Sequence, residues 1–190
     1  MRTFVKELTN PGVTLTAYLP AASDEMPNYK TRPAILVIPG GAYMMCSDRE
    51  AEPIALSFLA KGYAAFVLRY SVGKGAAKFP RPLNDAEEAM ELIISNAAEW
   101  GVEPEHIAAI GFSAGGHLAA HYSTAYDCPE VRALFPDSKP VQASILCYPV
   151  ITADPAWTHL GSFDALTGKT ERTSEEIQKF SCDKLVTEHT

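Results

Sequence analysis

Short apolar runs alternate with amphipathic stretches through most of this chain. Ala34-Ile35-Leu36-Val37-Ile38, Tyr63 to Arg69, Glu105 to Ile110 and Ala143 to Tyr148 have strand length and few or no charges in their interiors. That is the pattern of strands buried on both faces. Between them, Asp48 to Lys61 places Ile54, Ala55, Phe58 and Leu59 at helical spacing, with Ser47 or Asp48 as N-cap, Pro53 in the early turns and Gly62 just past the end. Leu83 to Trp100 carries Ala86, Met90, Ile93, Ile94 and Ala97 on one helical face and stops before Gly101. Ser113 to Tyr126 is a further helix, rich in Ala and Leu. Strands alternating with helices predict right-handed βαβ crossovers and a mostly parallel sheet covered on both faces.

The two ends of the chain read differently. Thr3 to Leu8 and Val13 to Leu19 flank the turn signal Asn10-Pro11-Gly12 and predict an opening hairpin of two antiparallel edge strands. Pro20 to Pro33 reads as a loop. After Tyr148 the pattern thins: Trp157 to Leu166 and Ser174 to Phe180 fit short helices, and Lys184 to Thr187 fits the start of another element. There is no internal repeat. At 190 residues, one domain covering 1–190 with a single core is expected.

Charge and cysteine usage remove several function classes. A net charge of -7, with no Lys/Arg-rich run, makes nucleic acid a poor partner. Cys46, Cys128, Cys147 and Cys182 are scattered and form no C-x-x-C pair, so they read as reduced thiols rather than a zinc knuckle or disulfide scaffold. No stretch has the length and apolarity of a signal peptide or membrane span, and the expectation is a cytoplasmic protein with no membrane partner.

The candidate chemistry lies at two strand ends. Gly111-Phe112-Ser113-Ala114-Gly115 fits G-x-S-x-G between a buried strand and a helix, where glycines remove the Cβ atoms that would clash in a tight turn. Ser113 would be exposed at a helix N-terminus, whose unpaired N–H groups stabilise a developing oxyanion. Pro39-Gly40-Gly41-Ala42-Tyr43 follows an earlier buried strand, and Gly41 and Ala42 are the second set of candidate donors. Gly111 and Gly115 frame the elbow; Tyr43 and Met44-Met45 are candidates to line an acyl or sugar pocket, with core packing as the alternative.

Ile38-Pro39-Gly40-Gly41-Ala42-Tyr43, Leu68-Arg69-Tyr70, the helix opening from Pro80 to Asp85, and Gly111 to Ala120 together resemble an α/β-hydrolase of the esterase/lipase type. The likeness is to small acetyl esterases and xylan-esterase-like carbohydrate esterases. The resemblance implies a three-layer α/β sandwich, Ser113 as nucleophile, and an oxyanion hole built from the N–H groups of Gly41, Ala42 and Ala114. It also implies a small acyl ester as substrate and no cofactor. In that family the acid and then the histidine follow later strands, so the sequence looks like an N-terminal portion lacking the last strands, and little turnover is expected from 1–190 alone.

Other histidines are weak substitutes. His117 follows Ser113 by four residues but reads as a packing residue, and the His117/His121 pair lacks a third metal ligand, so no metal is expected. His106 and His159 read as surface residues, His189 as part of the tail, and Asp85 as a first-turn helix residue. The elbow also fits a formamidase-like amidase, a prolyl-peptidase-like enzyme, or a non-catalytic domain that binds or assembles. Loss of further strands would leave Ala143 to Tyr148 as an exposed edge, which predicts a homodimer or a covering partner segment.

Overall fold

The computed structural model of the chain describes residues 1–188 and 190; His189 lies outside the described residues. Six strands form one sheet among them: β1 (Arg2–Glu7), β2 (Thr14–Leu19), β3 (Arg32–Ile38), β4 (Ala64–Arg69), β5 (Val102–Phe112) and β6 (Ala143–Cys147), in the order β1-β2-β4-β3-β5-β6. β1, β2 and β4 pair antiparallel, and β4, β3, β5 and β6 run parallel. Side chains alternate across the sheet. Ala34, Leu36 and Ile38 pack into the larger core with α2 (Arg81–Ser95) and α4 (Ala114–Ala125), while Ile35 and Val37 pack beneath α1 (Glu52–Leu59). Each such Leu, Ile or Val is worth about 1.5–3 kcal/mol of burial, so both faces of β3 hold the layers together.

The order of strands positions the site. From β3 the chain crosses to β4 on one side and then returns to β5 on the other, so the connections leaving β3 and β5 diverge and open a crevice at their carboxyl ends. Ile38 lies opposite Gly111 in the ladder. The Gly40-Gly41 loop and the Ser113 turn therefore emerge side by side.

Several expected boundaries move for identifiable reasons. β2 is not an edge strand; it pairs with β1 on one side and β4 on the other, leaving β1 and β6 as the edges. β3 begins at Arg32, with Pro33 at a register shift where no ladder N–H is needed. The helix expected from Asp48 divides into a 3-10 turn at Asp48–Glu50 and α1, because a continuous helix would need the N–H that Pro53 lacks. The long helix to Trp100 starts earlier, at Arg81, and is interrupted at Asn96, whose Nδ2 donates to the Leu92 carbonyl at 2.7 Å; α3 (Ala97–Trp100) then ends on Gly101 at φ 67°.

β5 runs beyond both ends of the expected 105–110 segment. A four-residue helix, α5 (Pro129–Arg132), is too short to show periodicity, and α6 is confined to Leu160–Thr167, leaving Trp157 in a turn. α7 (Ser174–Phe180) carries a capping box between Thr173 and Glu176. The segment from Lys184 continues a 3-10 turn (Cys182–Lys184) rather than opening a strand. β6 is the outer strand of the parallel half, with Ile145 and Leu146 exposed. No helix among the described residues is long and apolar enough to cross a membrane.

Candidate active site

β5 ends at Phe112 and α4 starts at Ala114, which leaves Ser113 to make the whole turn. Its backbone sits at φ 51°, ψ -116°, a region that a side-chain-bearing residue occupies only under constraint. The constraint comes from both sides: the Ser113 N–H donates to the Cys147 carbonyl at 3.0 Å, and the Ser113 carbonyl accepts from His117 and Val150. Close approach explains the flanking glycines. A methyl on Gly111 would lie 2.2 Å from the Gly115 carbonyl oxygen, and one on Gly115 would lie 2.2 Å from that of Ile38.

The loop after β3 is built from left-handed residues in succession: Gly41 at φ 136°, Ala42 at 56° and Tyr43 at 59°. This coil turns the Gly41 carbonyl inward, where it accepts from Met44 and Met45, and the Gly40 carbonyl accepts from Ser47. The N–H groups of Gly41 and Ala42 donate to no acceptor among the described residues. That of Ala114, as the first residue of α4, has no intrahelical acceptor. Gly40 abuts the serine: a Cβ added there would meet the Ser113 Cβ at 3.0 Å. Three candidate donors thus flank one serine.

Ties fix this loop. The Tyr70 hydroxyl donates to the Pro39 carbonyl at 2.9 Å, and Glu50 accepts from the Gly40 N–H through Oε2 and from the Tyr148 hydroxyl through Oε1, both at 2.8 Å. Arg69 pairs with Asp48 in the turn that carries Glu50. Tyr148 is itself in a left-handed conformation, φ 37°, and its bond to the Glu50 carboxylate pushes its phenol pKa up. An open groove of about 480 Å³ lies over the serine, walled by Ala42, Met44, Met45, Glu50, Tyr148 and His159.

Several sequence candidates sit elsewhere. Met44 and Met45 do line the groove, at 53% and 56% exposure, but Tyr43 does not: it is buried in the core, against Tyr70 and His117. The coil of the loop sends Tyr43 down and the two methionines out. His117 is fully buried between the Tyr43 hydroxyl, 2.7 Å from Nδ1, and the Phe180 carbonyl, 2.9 Å from Nε2. The carbonyl can only accept, so Nε2 carries the proton and Nδ1 accepts from Tyr43. Burial pushes the imidazolium pKa down to about 4, which keeps the ring neutral. His121 stacks beside it among aromatic rings and is also held neutral by burial.

No cluster of three metal-ligating side chains occurs among the described residues. Asp85 lies in the second turn of α2, not the first, where it accepts from Asn10 Nδ2 at 2.6 Å and from the Ser71 N–H at 2.7 Å; it clamps the hairpin turn to the chain after β4. His106 is exposed. His159 is exposed too, yet it reaches the groove, with Nδ1 against the Ser162 hydroxyl at 2.9 Å. Ser47, Arg49, Glu50, Tyr148 and His159 are groove residues that sequence reasoning missed. Tyr148 could have been found from its place at the carboxyl end of a parallel strand.

Comparison with known proteins gives the family and the fold. The BD-FAE family pattern matches residues 16–145. The endo-1,4-beta-xylanase B of Butyrivibrio fibrisolvens is 34% identical over 165 residues, covering 84% of this chain and 25% of the relative. The acetylxylan esterase of Xylanibacter ruminicola is 32% identical, covering 86% and 32%. A solved structure of MGS-M1, an α/β hydrolase enzyme from a Medee basin deep-sea metagenome library, aligns with a TM-score of 0.70 and 48% identity over 82% of this chain and 61% of that one. The chain thus spans about a quarter to a third of these two relatives. With the match over 16–145 covering most of β2 through β6 and both loops of the groove, the chain belongs to the BD-FAE family and has the α/β-hydrolase fold.

Proposed function

We propose that this protein is a serine carboxylesterase that removes small acyl groups, acetyl groups on carbohydrates above all. The observation that carries the reading is the strained Ser113 turn set beside the Gly41-Ala42 loop, with unengaged N–H groups on both sides. Ser113 Oγ would attack the ester carbonyl, whose oxygen becomes anionic against the N–H groups of Gly41, Ala42 and Ala114. Collapse expels the alcohol, which takes up a proton, and leaves an acyl-serine that water then cleaves. The acetylxylan esterase among the relatives supports the substrate class.

Among the described residues no histidine hydrogen-bonds Ser113 Oγ, since His117 is engaged with Tyr43 and Phe180 and His159 with Ser162. Residues 1–190 alone are therefore expected to turn over esters slowly. The test compares wild type with Ser113→Ala on p-nitrophenyl acetate and acetylated xylo-oligosaccharides, using the protein at its natural length. A loss of roughly 10³-fold or more is expected; turnover unchanged by Ser113→Ala overturns the reading. Fast, Ser113-dependent turnover by residues 1–190 would overturn the expectation for that segment.

The exposed outer edge of β6 supports pairing with a second copy, and a strictly monomeric species in light scattering would count against it. Four free cysteines fit a reducing, cytoplasmic setting.

A further inference from the structure

At the opposite end of the sheet from Ser113, a cavity of about 300 Å³ opens between α2, the far end of α4 and the chain entering β6. Glu105, on its rim, precedes Ser113 by eight residues along β5, about 26 Å at 3.3 Å per residue. One face of α2 supplies Glu87, Met90, Glu91 and Ile94, the i, i+3, i+4, i+7 set that shares one side of a helix.

Glu87 is unusual among these. It is 2% exposed, and its Oε2 is buried with no hydrogen-bond partner among the described residues. The Ser138 and Tyr122 hydroxyls lie near enough to favour its charged form, but neither makes a hydrogen bond to Oε2, and that of Tyr122 donates to the Lys139 carbonyl at 3.1 Å. A buried carboxyl oxygen without a donor costs on the order of 1–3 kcal/mol, more when charged. Burial accordingly pushes the Glu87 pKa up to about 7. Arg132 offsets this only in part, and on the rim Glu91, Glu105 and Asp137 are exposed against Lys139 alone, which makes no ion pair with any of them. The other walls are apolar, from Met90, Ile94, Pro104 and Val141.

We propose that this cavity is a second ligand site, separate from the Ser113 groove, for a small organic ammonium ion whose N–H groups bond the Glu87 carboxylate and whose hydrocarbon body packs on Met90, Ile94 and Val141. The donor missing at Oε2 selects an N–H or O–H group, and the acidic rim selects a cation over a neutral alcohol. The absence of a three-ligand cluster among the described residues argues for an organic cation over a metal ion. The volume is at the small end of ligand pockets, which favours a compact amine. The proposal does not depend on the esterase reading.

The test is titration of the ¹⁵N-labelled chain with benzylamine, followed by amide chemical shifts, with benzyl alcohol and benzoate as neutral and anionic counterparts. Benzylamine at millimolar concentration is expected to give saturable shifts at Glu91, Glu105, Val141 and Gln142, with benzyl alcohol and benzoate roughly tenfold weaker or silent. Glu87→Gln keeps the shape and removes the charge, and is expected to weaken benzylamine by roughly tenfold or more. Ile94→Trp, at a position 41% exposed and so tolerant of bulk, fills the cavity and should abolish binding with Glu87 in place. No saturable shift, equal binding of the alcohol, or benzylamine binding unchanged in either variant overturns the proposal.

Discussion

Replacing Ser113 by glycine should stabilise the protein, and replacing it by alanine should not. The serine backbone at φ 51°, ψ -116° lies where a Cβ clashes with its own peptide groups, and such conformations cost about 1–3 kcal/mol each. Ser113 Oγ makes no hydrogen bond among the described residues, so truncating it to alanine loses little and leaves the strain in place. Ser113→Ala should fall within about 0.5 kcal/mol of wild type. Ser113→Gly removes the Cβ and with it the strain, less about 0.5–1 kcal/mol for the greater freedom of glycine in the unfolded chain. The net gain over Ser113→Ala is about 1 kcal/mol, which for a domain of this size is about 2–4 °C in Tm. Urea and thermal unfolding of the three proteins, followed by circular dichroism, measure it. If Ser113→Gly is no more stable than Ser113→Ala, the turn is not under backbone strain and the account of the elbow is wrong.

Three further outcomes follow from the same geometry. Gly115→Ala drives a methyl into the Ile38 and Pro39 carbonyl oxygens, at 2.2 and 2.3 Å, and should destabilise by about 3 kcal/mol or more in urea unfolding, since backbone on both sides must move. Glu87→Gln should change the pH dependence of stability: the folded pKa, about 7, lies above the ordinary 4.5, so the folded state holds its proton more tightly and wild type loses stability as pH rises from about 4.5 to 7. The variant should match wild type near pH 4.5 and exceed it by up to about 3 kcal/mol at pH 8; parallel pH profiles would refute this. Tyr43→Phe strands the buried Nδ1 of His117 without its donor, and a loss of about 1–3 kcal/mol is expected from equilibrium unfolding.

What could be read from the sequence was what local sterics dictate. Gly111 and Gly115 are required within one turn of the serine, and the unbroken apolar run from Ala34 to Ile38 specifies a strand buried on both faces without knowledge of its neighbours. What could not be read was pairing at a distance. β2 looks like an edge strand until β4 is seen to claim its second side, and Glu50 looks like one residue of a helix start until Gly40 and Tyr148 are found on its two oxygens. Tyr43 and Met44 are adjacent, and only the left-handed coil through Gly41 and Ala42 decides that one faces the core and the other the groove. Asn96 breaks a helix whose periodicity continues, because a side-chain amide competes for a backbone carbonyl.

The loop from Pro39 to Tyr43 is gripped by Tyr70, by Glu50, and by Tyr43 acting through His117 on the Phe180 carbonyl. Fixing a backbone residue costs about 1–2 kcal/mol of conformational entropy, and here that ordering is completed when the chain folds. On the proposed esterase reading, an ester entering the groove would meet N–H groups already held in place, and little of its binding energy would be diverted to arranging them. The grip also reaches far along the chain: Phe180 is 63 residues beyond His117, and slackening α7 would be felt as disorder in a loop on the other side of the serine.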